Sequence, residues 1–241
     1  VAKHGNRAVS SRTGSADVLE RLGVRIDAPP ETVSACLRDL GICFCLAPAH
    51  HPAMARVGPL RRALGRPTVF NLVGPLCNPA GAAVQVIGTG RAAAREPLAE
   101  AARALGIARA VVVTGHVGPD ARAFDEVSLF GPTDVVDVGP AGIMRERWTP
   151  EDFGLATRPE ARLADLGVDG PESSAAAIRG VLAGERGPRR EVVVLNAAAV
   201  LRAAGRAADP RAARELAEHA IDSGAAARLL AAFVERSRAT P

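Results

Sequence analysis

Ala83-Val84-Gln85-Val86-Ile87-Gly88-Thr89 and the later run Arg109-Ala110-Val111-Val112-Val113-Thr114 decide the fold class. Each is a short apolar run rich in β-branched residues, the pattern of a strand buried on both faces. Between them a helical stretch carries Leu98, Ala102 and Leu105. Strand, helix and strand at this spacing predict a βαβ unit, with parallel strands and a right-handed crossover.

Working outward, the same α/β alternation continues. Upstream, Ser15 caps a short helix ending at Gly23, and Pro30 opens a second that ends at Gly41. Ile42 to Ala47 reads as another buried strand. Pro52 to Leu64 carries an apolar stripe that Gly58-Pro59 should break or kink. Downstream, Thr133–Val138 and Ile143–Trp148 read as a strand pair around Gly139-Pro140-Ala141-Gly142. From Glu172 the chain is Ala-rich and helical; Glu191–Leu195 alone could pass for a strand, but the alanines after it favour helix.

The 241 residues are 48% hydrophobic, too apolar for a disordered chain, and 23% charged. Apolar runs stop at six or seven residues, far short of a membrane span. The net charge of +4 is scattered, and 3% aromatic content offers no stacking platform, which argues against a nucleic-acid binder. Cys36, Cys43, Cys45 and Cys77 show no paired-cysteine metal spacing and read as buried, reduced thiols. Of the 30 basic residues only Lys3 is a lysine, which singles it out.

Three clusters could carry chemistry. Lys3-His4-Gly5-Asn6-Arg7, followed by Gly14-Ser15 at a helix start, suits an anion. Asp125-Glu126, in extended backbone, would point to opposite sides and could each reach a different Mg²⁺. The third joins His50-His51-Pro52, Arg61-Arg62 and the stretch Asn71-Leu72-Val73-Gly74-Pro75-Leu76-Cys77-Asn78-Pro79, where an arginine could hold a carboxylate in two-pronged fashion. Gly88-Thr89-Gly90 is a short match to a phosphate loop but reads better as a plain turn.

Taken together and in order, Val1–Arg7 running on to Gly14–Glu20, Ala47–Met54, Arg61–Pro79 and Phe124-Asp125-Glu126-Val127-Ser128 resemble the anthranilate phosphoribosyltransferases. The resemblance runs from residue 1 to about 235. It implies a mostly parallel sheet flanked by helices, the class shared with nucleoside phosphorylases (glycosyltransferase family 3-like). Residues 1–51 and 80–241 would form the α/β domain, with 52–79 returning to a small helical domain. The implied reaction moves the phosphoribosyl group of 5-phosphoribosyl-1-pyrophosphate (PRPP) to anthranilate, in tryptophan biosynthesis. It also implies two Mg²⁺ ions, a homodimer, a cytoplasmic location, and neither nucleic acid nor membrane as partner.

Carried over residue by residue, the resemblance implies that Lys3 and Ser15 hold PRPP and that Asp125 and Glu126 face magnesium. His4, Asn6, His51 and Arg61 would line the anthranilate path, with Gly74 and Pro75 forming its wall. No residue is implied as an acid, a base or a covalent nucleophile, and Arg7 receives no role. Two departures stand out. The family's Gly-Thr-Gly-Gly-Asp and Asn-Ser-Thr segments lie upstream of its lysine motif and are not in this sequence, so the chain alone is expected to turn over poorly. The loop at 118–123 is longer than usual, which loosens the register of the two acids. The rival readings are a non-catalytic, nucleic-acid-binding relative and a pyrimidine nucleoside phosphorylase.

Overall fold

The computed structural model describes every residue except 9–11, 54–56, 58–59, 61–62, 66–67, 119–121, 159–162 and 240–241. The chain divides into two units, one of residues 1–81, 168–183 and 224–241, the other of 82–167 and 184–223.

In the first unit, strand β1 (Ala2–Gly5) pairs in parallel with β2 (Cys43–Leu46), His4 lying opposite Cys45. Helix α1 (Ser15–Arg21) follows β1, and α2 (Pro30–Leu40) precedes β2. Pro30 sets the helical φ at the start of α2, and Gly41 closes it in the left-handed region at φ 74°. A single turn, α3 (Ala47–His50), leaves β2. The later helices of this unit are α5 (Pro171–Leu182), beside α1, and α8 (Ala225–Arg238), beside α2. Ala16, Val24, Ile26, Cys36, Cys43, Phe44, Cys45 and Phe233 form the core. Burial pushes the Cys43 thiol up to about 12, so it stays protonated.

In the second unit β3 (Val84–Gly88) and β4 (Arg109–Val117) are parallel, joined by α4 (Ala92–Ala104), as the βαβ reading requires. The remaining strands are β5 (Arg122–Phe124), β6 (Thr133–Gly139) and β7 (Gly142–Trp148). The order is β3-β4-β6-β7, with β5 pairing the far end of β4. Helices α6 (Pro188–Ala203) and α7 (Pro210–Asp222) complete the unit. Its core gathers Val111, Val113, Val135, Trp148 and Phe153 from the sheet side with Leu195 and Ala198 of α6. Full burial of each large side chain here contributes about 1.5–3 kcal/mol.

The α/β class with helices flanking the sheets is as expected, but the larger sheet is mixed rather than mostly parallel. Only β3–β4 is parallel there; β4–β5, β4–β6 and β6–β7 are antiparallel. For β6–β7 the cause is connection length, since a tight turn between Gly139 and Gly142 cannot return a parallel strand. Glu191–Leu195 is helical, Leu105 is exposed just past the end of α4, and Cys77 is exposed, unlike the other three thiols. Ser15 is the first residue of α1 and Gly14 is the cap. No helix among the described residues is long and apolar enough to cross a membrane.

Candidate active site

In the first unit the chemistry gathers at the end of β1. Successive strand residues face opposite ways, so Lys3 and Gly5 share one face and His4 takes the other. Ser15 Oγ lies over Gly5, so closely that a methyl there would sit 2.3 Å from it. A side chain at Gly5 would turn the Ser15 hydroxyl away, and Lys3 and Ser15 belong to one side of the strand. Lys3 is exposed and makes no ion pair among the described residues.

The link from β1 to α1 is held by Asp17 and Arg7. The Asp17 carboxylate accepts the N–H groups of Ala8 at 2.8 Å and of the cap residue Gly14 at 3.0 Å, tying the loop to the start of α1. These amide bonds, led by that from Ala8, and the Arg7 guanidinium hold the Asp17 carboxyl below the usual range. Arg7 in turn grips Glu20 with two nitrogens at 2.8 and 3.0 Å and reaches Asp17 at 3.2 Å. Arg7 is thus a brace between loop and helix, a role its place in the motif did not reveal. Asn6 Oδ1 accepts the Arg7 N–H at 2.8 Å, which leaves its NH₂ as the group it can offer a ligand.

On the other face, His4 meets two distant stretches. Its Nε2 is 3.2 Å from His51 Nε2, the rings meeting edge to face with centroids 4.9 Å apart. It also bonds the backbone of Gly74. Burial, then the neighbouring His51, hold His4 below its ordinary pKa, which disfavours a charged His4 ring in this position. The 3₁₀ turn Gly74–Cys77 is tied back by Asn78, whose Nδ2 donates to the Ala2 carbonyl at 2.9 Å. Three stretches far apart in sequence therefore converge on His4: His51, after α3, and the Gly74 turn join the end of β1. Pro75, beside Gly74 in that turn, is exposed. Arg61 lies outside the described residues. Within residues 52–79, Leu60 is exposed, while Val57 and Leu72 are half-buried.

In the second unit Asp125 and Glu126 follow β5 directly. Residues 119–121 of the long loop lie outside the described residues; after them β5 pairs in regular register, Phe124 opposite Gly115 and Ala123 opposite His116. Residues 125–126 form a bend rather than extended backbone, so the expected opposition of their side chains does not follow from strand geometry. Both acids are exposed, yet Val127, Ser128, Leu129 and Phe130 immediately after them are all buried. This buried run anchors the bend. Ser128 N–H donates to Thr133 Oγ1 at 2.8 Å, and its hydroxyl donates to the His116 carbonyl at 2.6 Å. Asn196 of α6 grips Val127 from the other side.

The bend also rests on two glycines. A methyl on Gly88 would lie 1.7 Å from the Asp125 carbonyl oxygen, and one on Gly115 would lie 2.4 Å from that of Glu126. Gly88 is thus the floor beneath an acid. The Thr89 N–H, the backbone group there that could serve a phosphate, donates instead to the Val113 carbonyl at 2.9 Å. Gly88 ends β3, and Thr89-Gly90 lead out of the strand into a bend.

No group of three His, Cys, Asp or Glu side chains converges on a metal position among the described residues. The donor set still fits Mg²⁺, which takes one or two exposed carboxylates and fills its remaining positions with water and phosphate oxygens.

The family model for the glycosyl transferase family, a/b domain, matches residues 1–227. An anthranilate phosphoribosyltransferase from Rubrobacter xylanophilus is 48% identical over 241 residues, which is 99% of this chain and 68% of that protein. This chain belongs to the anthranilate phosphoribosyltransferase family. A second anthranilate phosphoribosyltransferase, from Moorella thermoacetica, is 47% identical over 97% of this chain and 67% of its own length. The crystal structure of the anthranilate phosphoribosyltransferase from Thermus thermophilus superposes with a TM-score of 0.88 at 45% identity, over 99% of this chain and 69% of that one. The Saccharomyces cerevisiae anthranilate phosphoribosyltransferase, in complex with PRPP and Mg, gives 0.86 at 29% identity, over 98% and 64%. The chain thus spans about two thirds of the length of these anthranilate phosphoribosyltransferases.

Asn78, Asn196, Gly88 and Gly115 were not recognised as site residues from sequence. Asn196 leaves a signal, a lone amide within the apolar run Val194-Leu195-Asn196-Ala197-Ala198. The glycines leave none, since only the backbone crossing above them demands their size.

Proposed function

We propose that this protein transfers the phosphoribosyl group from PRPP to the amine of anthranilate, giving N-(5′-phosphoribosyl)anthranilate and pyrophosphate. The observation that carries the reading is the convergence on His4 of His51 and the Gly74 turn, two stretches that have no other reason to meet at a strand end.

The roles divide by the two faces of β1. On one face Lys3 supplies a mobile point charge for the phosphates of PRPP, and Ser15 supplies a hydroxyl donor beside it. On the other, His4, Asn6, His51, Gly74 and Pro75 line the anthranilate path, with Arg61 pairing its carboxylate. The lowered pKa of His4 disfavours a positive charge on that ring where it faces the path. Asp125 and Glu126 form the metal side, and two Mg²⁺ ions bound there would neutralise charge on the departing pyrophosphate.

The bond between ribose C1 and pyrophosphate breaks, the anthranilate nitrogen bonds to C1, and that nitrogen loses a proton. The transition state is oxocarbenium-like, so catalysis is positioning plus charge stabilisation rather than covalent or general-base chemistry. The yeast relative solved with PRPP and Mg, and again with 4-fluoroanthranilate, supports both substrates and the metal. A cytoplasmic homodimer is part of this reading, as is the return of residues 52–79 to a small helical domain.

The test is PRPP- and Mg²⁺-dependent consumption of anthranilate by the full-length protein, followed by its fluorescence, beside phosphorolysis of thymidine. Loss of anthranilate without thymidine cleavage supports the reading. Thymidine cleavage with anthranilate untouched would establish the nucleoside phosphorylase alternative instead.

A further inference from the structure

Asn196 sits in the middle of α6, half-buried among alanines and valines. Its side chain takes hold of one residue from both directions. Oδ1 accepts the Val127 N–H at 2.9 Å, while Nδ2 donates to the Val127 carbonyl at 3.1 Å and to the Val192 carbonyl at 2.9 Å. Nδ2 also lies 3.5 Å from Glu126 Oε2. One amide side chain thereby pairs both the donor and the acceptor of Val127, as a neighbouring strand would. The orientation of the amide is set by its partners, for the N–H needs an acceptor and the two carbonyls need donors.

Val127 is the first buried residue after Asp125 and Glu126, so whatever fixes its backbone fixes the end of the bend that carries them. We propose that Asn196 is a positioning residue for the Asp125–Glu126 bend, holding both carboxylates at the place where the divalent cation is bound. The proposal rests on the reading of these acids as the metal side. Alanine would leave both backbone groups of Val127 without their partner. Aspartate would keep the acceptor, lose both donors and bring a second negative charge toward Glu126. Residues that orient ligating carboxylates through hydrogen bonds cost about 10- to 100-fold in metal affinity or activity when removed.

The experiment compares Asn196→Ala and Asn196→Asp with the double variant Asp125→Asn, Glu126→Gln, all in the full-length protein. Mn²⁺ affinity in the presence of PRPP is read by electron paramagnetic resonance, and the Val127 amide by hydrogen exchange. Steady-state kinetics give the Mg²⁺ requirement and the KM for anthranilate. The expected result is a loss of Mn²⁺ affinity of about tenfold or more, faster Val127 exchange, and turnover recovered by excess Mg²⁺ at unchanged KM for anthranilate. Should Asn196→Ala fail to fold, Asn196→Gln, which keeps the amide but sets it one methylene further out, gives the comparison without an added charge. Mn²⁺ affinity within twofold of wild type, with faster Val127 exchange and no rescue by Mg²⁺, would reduce Asn196 to a structural brace and overturn the proposal. Unchanged Mn²⁺ affinity in the double carboxamide variant would overturn the underlying assignment of the acids, and the proposal with it.

Discussion

Gly88→Ala should damage the Asp125–Glu126 bend proposed as the metal side, whereas Gly90→Ala, two residues further on, should not. The backbone of Gly88 lies outside the left-handed region, so alanine there is not strained conformationally and the effect is steric. Its Cβ would fall 1.7 Å from the Asp125 carbonyl oxygen and 2.6 Å from the carbonyl carbon. Ordinary contact begins at 3.4 Å, so β3 and the bend must part by at least the difference, 3.4 less 1.7 Å. Both neighbours are backbone and cannot rotate away. Overpacking of this kind costs about 1–3 kcal/mol of stability, and a shift of about 1 Å at a catalytic group lowers turnover on the order of 100-fold. At Gly90 the nearest atom to an added methyl is Phe124 Cα at 3.6 Å, an ordinary contact. That change should stay within about 0.5 kcal/mol. The assay is turnover against Mg²⁺ concentration, with thermal unfolding run beside it. Equal damage from both substitutions would restore the phosphate-loop reading of Gly88-Thr89-Gly90; unchanged turnover in Gly88→Ala would refute the floor argument itself.

Lys3→Arg should weaken PRPP binding, because a rigid guanidinium fork follows a departing pyrophosphate less well than a flexible ammonium; PRPP affinity equal to wild type by calorimetry would return Lys3 to coincidence. Asp17→Ala should destabilise the first unit by about 0.5–2 kcal/mol, as for loss of a helix cap, read as a lower urea midpoint. Because the Asp17 carboxyl is held below its unfolded value near 3.8, its contribution is full above that pH and fades as pH falls through the folded value. A midpoint difference between wild type and Asp17→Ala that persists unchanged into strong acid would contradict this. His4 should titrate below 6.5 by NMR, and His51→Ala should move it upward by removing a neighbouring positive charge. The stability it carries is complete above pH 6.5 and is lost as pH drops toward the lowered folded value.

The fold was legible where periodicity and punctuation agreed. Val84–Gly88 and Arg109–Val117 are apolar runs with a helix between them, and Pro30 and Gly41 mark both ends of α2. Parallel character was over-read, because pairing direction depends on connection length and nothing in Thr133–Val138 itself states its partner. At the site, the motif residues His4, His51 and Gly74 were all named from sequence, and the structure brings them together. What stayed hidden were the supports. Gly88 and Gly115 matter only because another backbone crosses them, and Asn196 matters only because Val127 lies against α6. Serine is a common cap, yet α1 begins at Ser15 itself, with Gly14 as its cap and the Asp17 carboxylate accepting the Gly14 N–H.

The central claim is that the end of β1, His51 and the Gly74 turn form one anthranilate-binding surface. Titrating anthranilate into the full-length protein, with His4, His51 and Gly74 followed together by NMR, tests it most directly. The account predicts that all three resonances shift along one saturation curve. Saturable binding that leaves all three unmoved would contradict it.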